Sequence, residues 1–215
     1  MFITFEGPEG GGKTTQMAAL AEYLRTAGWP VLATREPGGT PIGDQIRSVL
    51  MSMQNEAMQT RTEILLFQAS RAQLVAQVIR PHLQSGGIVL CDRYADSTLA
   101  YQGYGYQQFD PAELRPIIEF ATGGLQPDLT VLLDLDVTTG LARRMSDGGW
   151  NRLDARQLEF HQRVRQGYLA LAAAAPQRWA LIDASGPPDQ VQADIRRLIT
   201  SRLPPLPILG RGPGG

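Results

Sequence analysis

Residues Gly7-Pro8-Glu9-Gly10-Gly11-Gly12-Lys13-Thr14 spell G-x-x-x-x-G-K-[ST], and no other stretch restricts the fold as tightly. The pattern carries meaning only where a strand runs into it and a helix runs out of it. Phe2–Glu6 reads as that strand, and Thr14 to Ala27 as that helix, with Leu20 and Leu24 four apart. Glycines let successive backbone N–H groups turn inward onto phosphate oxygens. The helix N-terminus adds unpaired donors and a partial positive charge. Lys13 reaches the β- and γ-phosphates, and the Thr14 hydroxyl can ligate Mg²⁺. The plain alternative is a glycine-rich turn in a βα unit. The lysine and both flanking elements favour nucleotide binding.

The rest of the chain alternates the same two element types. Val31–Thr34, Ile88–Cys91, Leu129–Leu133 and Trp179–Ile182 read as further short strands. Helices are expected from Pro41 through Leu50, over Thr60 to Leu83 with Pro81 kinking it or closing it, and over Asp96 to Gln102, ended by Gly103-Tyr104-Gly105. More follow from Pro111 to Ala121, stopped by Gly123-Gly124, then over Val137 to Met145, Ala155 to Ala174 and Pro187 to Arg202. Apolar strands that alternate with helices argue for a parallel sheet. The expectation is a three-layer α/β/α P-loop fold with five parallel strands, one domain over 1–202, and a Pro/Gly-rich disordered tail over 203–215.

Right-handed crossovers put every strand C-terminus on one edge, where ligands bind. The phosphate loop, Arg35 to Thr40 and Asp92-Arg93-Tyr94 all follow strand ends. Arg93 and Arg47, with Arg35 behind them, are the candidates to hold an anionic acceptor. Asp92 is either a Mg²⁺-linked carboxylate or a partner that orients Arg93. Phe67 and Arg71, four apart, share a helix face. Taken singly, the first reads as core and the second as a solvated charge. With 20 Lys+Arg against 21 Asp+Glu the charge is balanced, so no basic field points to nucleic acid. Cys91, the one cysteine, reads as a buried thiol and excludes an internal disulfide. No signal peptide or membrane span is expected, and the chain reads as cytoplasmic.

Over about its first 200 residues the chain resembles bacterial thymidylate kinases. The matching stretches are Phe5-Glu6-Gly7 through Thr15, Thr34-Arg35-Glu36-Pro37-Gly38-Gly39-Thr40, and Asp92-Arg93-Tyr94-Ala95-Asp96-Ser97 running into Ala100-Tyr101-Gln102-Gly103. Leu133-Asp134-Leu135-Asp136, Arg152-Leu153-Asp154 and Arg163 to Leu169 follow. The resemblance implies transfer of the γ-phosphoryl of ATP, with Mg²⁺, to thymidine monophosphate. It implies ATP contacts from Gly7, Pro8, Glu9, Gly10, Gly11, Gly12, Lys13, Thr14 and Thr15, and a metal site at Thr14 and Asp92. It implies that Phe67 stacks on thymine, and that Arg71 reads the base edge with Thr98 and Gln102. Tyr101 would then crowd out a ribose 2′-hydroxyl, Arg93 and Arg47 would hold the acceptor phosphate, and Glu36 would join the acceptor site. Glu9 would stand near the sugar 3′-hydroxyl and the metal. A glycine at position 10 goes, in such relatives, with arginines supplied by a lid, here about 143–154, which makes Arg143 and Arg152 catalytic candidates beside Lys13, Arg93 and Glu9. A homodimer is also implied. Several relatives carry arginines where this chain has Met145 and Asp147, Tyr106 replaces a common arginine, and His161 replaces an aromatic residue.

A methyl group in an apolar pocket is worth about 1–3 kcal/mol, so rejection of the uracil analogue should be moderate. Cytosine should be rejected harder, because the wrong base would leave a buried Arg71 unpaired. Three rivals remain: a uridine or cytidine monophosphate kinase, a nucleotide-controlled switch, and a transport ATPase module. Tyr101 and the R-E-P-G-G-T loop speak against the first. Asn151-Arg152-Leu153-Asp154 only loosely resembles N-K-x-D and lies outside the strand-end context. Leu83-Gln84-Ser85-Gly86-Gly87 precedes a strand instead of opening a helix.

Overall fold

Five strands pair in parallel in the order β2-β3-β1-β4-β5: β1 Phe2–Glu6, β2 Val31–Arg35, β3 Ile88–Asp92, β4 Leu129–Asp134 and β5 Trp179–Asp183. The computed structural model describes residues 1–146, 148 and 150–203, so Asp147 and the tail expected beyond Leu203 lie outside it. β1 lies in the middle, its Phe2 opposite Val89 and its Glu6 opposite Leu132. All five of its residues are buried, as a strand covered on both faces requires.

Alternate residues serve opposite layers. Ile3 and Phe5, with Ile88 and Leu90, pack against α1 (Lys13–Thr26) and α9 (Pro188–Thr200). Phe2, Val89 and Cys91 face the long helical run that starts with α3 (Thr60–Leu74). Leu132 faces α8 (Leu158–Ala174). Leu203 packs beside α9 against the first of these layers.

Helix ends follow local chemistry. Thr40 caps α2 (Pro41–Met51), accepting from the Gly43 N–H at 3.0 Å. Asp110 and Glu113 form a capping box on α6 (Pro111–Thr122), and left-handed Gly123 ends it. The run expected over Thr60 to Leu83 continues from α3 through a π turn at Val75–Ile79 into α4 (Arg80–Gln84). Pro81 has no N–H to give the preceding turn, and the run widens just before it.

Two boundaries differ from the sequence reading. The helix expected to stop after Gln102 runs from α5 (Ala95–Thr98) through a π-helical stretch to Gly105. Its glycines are packing positions: a Cβ on Gly105 would lie 2.7 Å from the Phe160 ring of α8. The helix expected from Ala155 begins at Leu158. The Asp154 carboxylate takes the Asn151 N–H at 3.1 Å, and the Asn151 side-chain oxygen takes the Leu153 N–H at 2.8 Å. Side chains thus supply the backbone with a turn in place of a helix.

Candidate active site

One cavity of about 650 Å³ opens at the C-terminal edge of the sheet. The three strand-end segments singled out in the sequence all line it: Glu9 to Thr15, Arg35 to Pro37, and Asp92 with Arg93. Arg47 and Phe67 line it from α2 and α3, Tyr101 and Gln102 from the π-helical stretch, and Arg143 and Arg144 from α7 (Val137–Ser146).

At the phosphate loop, α1 starts at Lys13 with no acidic residue in its first turn, which leaves its N–H groups for an anion. Lys13 is the chain's one lysine; the rest of its 20 Lys+Arg side chains are arginines. It is 6% exposed, and its ammonium donates to the Gly7 and Pro8 carbonyls at 3.1 and 2.7 Å. Burial, then the neighbouring Arg93 charge, pushes it down to about 8. Thr14 Oγ1 donates to Asp92 Oδ2 at 2.6 Å. These are hard oxygen donors on the cavity wall, which suits Mg²⁺, an ion that keeps waters and phosphate oxygens for most of its shell. Asp92 therefore faces Thr14 and not the Arg93 guanidinium. Gly10 is left-handed (φ 68°), and a Cβ there would overlap the Gly140 carbonyl of α7.

Arg93 ends β3 with φ at 66°, a conformation non-glycine residues rarely hold. Its N–H donates to the Phe5 carbonyl at 2.9 Å, and the next N–H, of Tyr94, to Glu6 Oε1 at 2.8 Å. The guanidinium donates to the Gly7 carbonyl at 3.2 Å, the Tyr168 hydroxyl at 3.0 Å and Glu9 Oε1 at 2.8 Å, and lies 4.9 Å above the Tyr101 ring. The Tyr101 hydroxyl also donates to Glu9 Oε1, at 2.7 Å. Burial works against the Glu9 charge, but Arg93 and Lys13 overcome it and hold the carboxyl at about 2. Glu6, fully buried behind them, accepts from Tyr168, and burial followed by Asp96 pushes it up to about 8.

Apolar side chains also line the cavity, Met51, Phe67 and Leu153 among them. Phe67 packs with Leu50 and Leu153. Arg71, on the same face, is fully buried and does not line the cavity. Its Nη2 lies 2.6 Å from Glu36 Oε2 and donates to the Tyr94 carbonyl, Nε donates to Glu36 Oε2, and Nη1 donates to Gln68 and Thr98. The reading of Arg71 as a solvated charge is thus corrected, and the base-edge contact drawn from the resemblance differs from this geometry, in which each of its nitrogens already has a partner. Thr98 likewise sits behind the wall. Gln102 faces the cavity, as does Glu36, whose buried Oε1 has no partner.

The lid arginines diverge. Arg143 donates to the Ala184 carbonyl at 3.2 Å, and Arg144 pairs with Asp154 at 3.1 Å. Arg152 lies outside the cavity, buried against Glu63 and the Leu50 carbonyl, so its side chain points away from the phosphate loop. Arg47 donates to the Pro37 carbonyl at 3.0 Å, and Arg35 pairs with Asp44 at the mouth.

Sequence reasoning gave no role to Glu6, Tyr168 or Glu63. Glu63, Phe67 and Arg71 are spaced i, i+4, i+8, so the face carrying the expected base contacts already carried this acid. Nothing local in the sequence ties Tyr168 to Glu6, 162 residues earlier.

The thymidylate kinase family model matches residues 5–195. The thymidylate kinase of Roseiflexus castenholzii is 51% identical over 222 residues, covering 97% of this chain and 96% of that protein. The thymidylate kinase of Deinococcus radiodurans is 53% identical over 202 residues, covering 94% and 97%. The crystal structure of thymidylate kinase from Ehrlichia chaffeensis superposes with a TM-score of 0.77 at 33% identity, covering 93% of this chain and 98% of that one. With the phosphate loop, the Arg93 turn and these apolar side chains gathered in a single cavity, the chain belongs to the thymidylate kinase family.

Proposed function

We propose that the chain transfers the γ-phosphoryl group of ATP to thymidine monophosphate, giving thymidine diphosphate and ADP. The observation that carries this reading is the set of groups lining one cavity: Lys13 with the phosphate-loop residues, Arg93, and Phe67 with Gln102. That set fits a donor triphosphate, an acceptor phosphate and a base.

The acceptor phosphate is a nucleophile at neutral pH, so the chemistry asks for alignment and charge neutralisation, not a tuned base. Lys13 and the loop hold the donor phosphates. Arg93, braced by Glu9, Tyr168 and Tyr101, holds the acceptor phosphate with Arg47. Arg143 and Arg144, the wall arginines carried by α7, supply charge to the transferring group. Tyr101, fixed through Glu9, fills the space a ribose 2′-hydroxyl would need. Bound at Thr14 and Asp92, Mg²⁺ would neutralise the donor phosphates. The reaction is read as cytoplasmic, where ATP is at hand as donor. No helix among the described residues is long and apolar enough to cross a membrane. The chain acts as a homodimer, a reading supported by Phe120, 91% exposed on α6, with Ile117 also exposed on the same helix.

Acceptor-dependent ADP release from MgATP tests the activity. Thymidine monophosphate should stimulate most, its uracil analogue less, and the cytosine and ribose counterparts little. Equal stimulation by all four, or by none, sinks the reading.

A further inference from the structure

Glu63 is buried on the Phe67 face of α3, and three donors converge on it. Its Oε1 accepts from the Gln102 amide nitrogen at 2.7 Å, and its Oε2 accepts from the Tyr106 hydroxyl at 3.1 Å and from Arg152 at 2.5 Å. A carboxylate paired with a guanidinium only accepts. It therefore holds the nitrogen end of the Gln102 amide toward itself. The other end, the carbonyl oxygen, makes no hydrogen bond among the described residues, on a side chain that lines the cavity with Phe67 and Ser97. Arg71, by contrast, has every nitrogen engaged.

We infer that Glu63 is a specificity-determining positioning residue: it fixes the Gln102 amide with its acceptor toward the base, so that the pocket accepts a pyrimidine carrying N3–H and repels cytosine. A carbonyl oxygen receives a hydrogen bond from N3–H of thymine or uracil and meets a lone pair on N3 of cytosine. This discrimination is separate from that of the thymine methyl, and it rests on the assignment of Phe67 and Gln102 to the base.

The test is Glu63→Gln. Tyr106 and Arg152 both donate to the Oε2 position, so the new amide oxygen takes that place and its nitrogen faces Gln102. Two amide nitrogens cannot satisfy each other, and Gln102 turns over, presenting N–H to the base. The ratio of kcat/KM for thymidine monophosphate over deoxycytidine monophosphate should fall about 10- to 100-fold, one hydrogen bond being lost on one substrate and one gained on the other. The ratio over deoxyuridine monophosphate should not change. The pair Glu63→Gln with Arg152→Met leaves no unpaired buried guanidinium and should show the same shift if the single variant folds poorly. A uniform loss on all three substrates overturns the proposal. Gln102→Leu separates the two levels. If it leaves the cytosine ratio untouched, the base assignment fails and the proposal with it. If it collapses that ratio while Glu63→Gln does not, the base assignment stands and the role of Glu63 falls.

Discussion

Lys13 combines burial with a neighbouring positive charge, and its ammonium loses its proton near pH 8 in the nucleotide-free protein. The charged form is the one that binds phosphate. Accordingly kcat/KM for MgATP should decline as pH rises through about 8, while kcat, measured with phosphates already against the ammonium, should hold to higher pH. Coincident limbs above pH 9 in both profiles would contradict the burial argument. The sign for stability is the opposite. The folded value lies below the ordinary 10.5, so the unfolded chain binds more protons between the two, and stability rises with pH across that window. At this scale the sequence was partly legible. Lys13 and Thr14 announced themselves through a motif, Phe67 only through the family resemblance, and the cavity holds all three. Arg71 did not, because a lone arginine on a helix looks the same whether water or Glu36 satisfies it; only the fold brings Glu36 within 2.6 Å. Arg152 was misleading for a related reason: its segment is placed next to the site, but its guanidinium is satisfied by an acid 89 residues earlier in the chain.

Among the elements, the contact between the phosphate loop and α7 sets where positive charge can come from. A side chain at Gly10 would strike the Gly140 carbonyl, and one at Gly140 would strike the Glu9 carbonyl. The loop therefore has no room for an arginine at position 10, and under the proposed function charge for the transferring group would come from Arg143 and Arg144, one turn further along α7 and on the cavity wall. Gly140→Ala should raise the intrinsic helix propensity of α7 yet lower kcat at least tenfold, because it levers that wall off the loop. A melting curve and a rate on the same sample check it; an unchanged rate would mean the two elements slide freely. The glycines at 103 and 105 had looked like stops. Neighbours outside the helix, Pro111 and Phe160, make them contact positions, Gly103 within it and Gly105 at its end. Strand and helix types were readable from periodicity; which glycine ends a helix and which lets another helix approach is decided by packing.

For the molecule as a whole, parallel topology alone brings the three strand-end segments to one edge, which is why the site could be located before any side chain was placed. It leaves α6 on the outside with Phe120 almost wholly exposed. With Ile117, exposed on the same helix, it offers apolar surface that a second copy would cover in the proposed dimer. Phe120→Ser should shift the protein from dimer to monomer in sedimentation velocity, without touching the cavity; a wild type that sediments as a monomer would remove the dimer from the proposal.

The solitary lysine has one more consequence. Acylating reagents commonly used to tether, tag or cross-link proteins through lysine side chains find a single such amine in this sequence, and it lies in the donor pocket. If Lys13 holds the donor phosphates as proposed, acylation there should abolish activity, which an assay of the labelled protein checks. A sample attached to a surface through that amine would then be an inactivated one, and the degree to which ATP shields it from labelling would measure how full the donor pocket is.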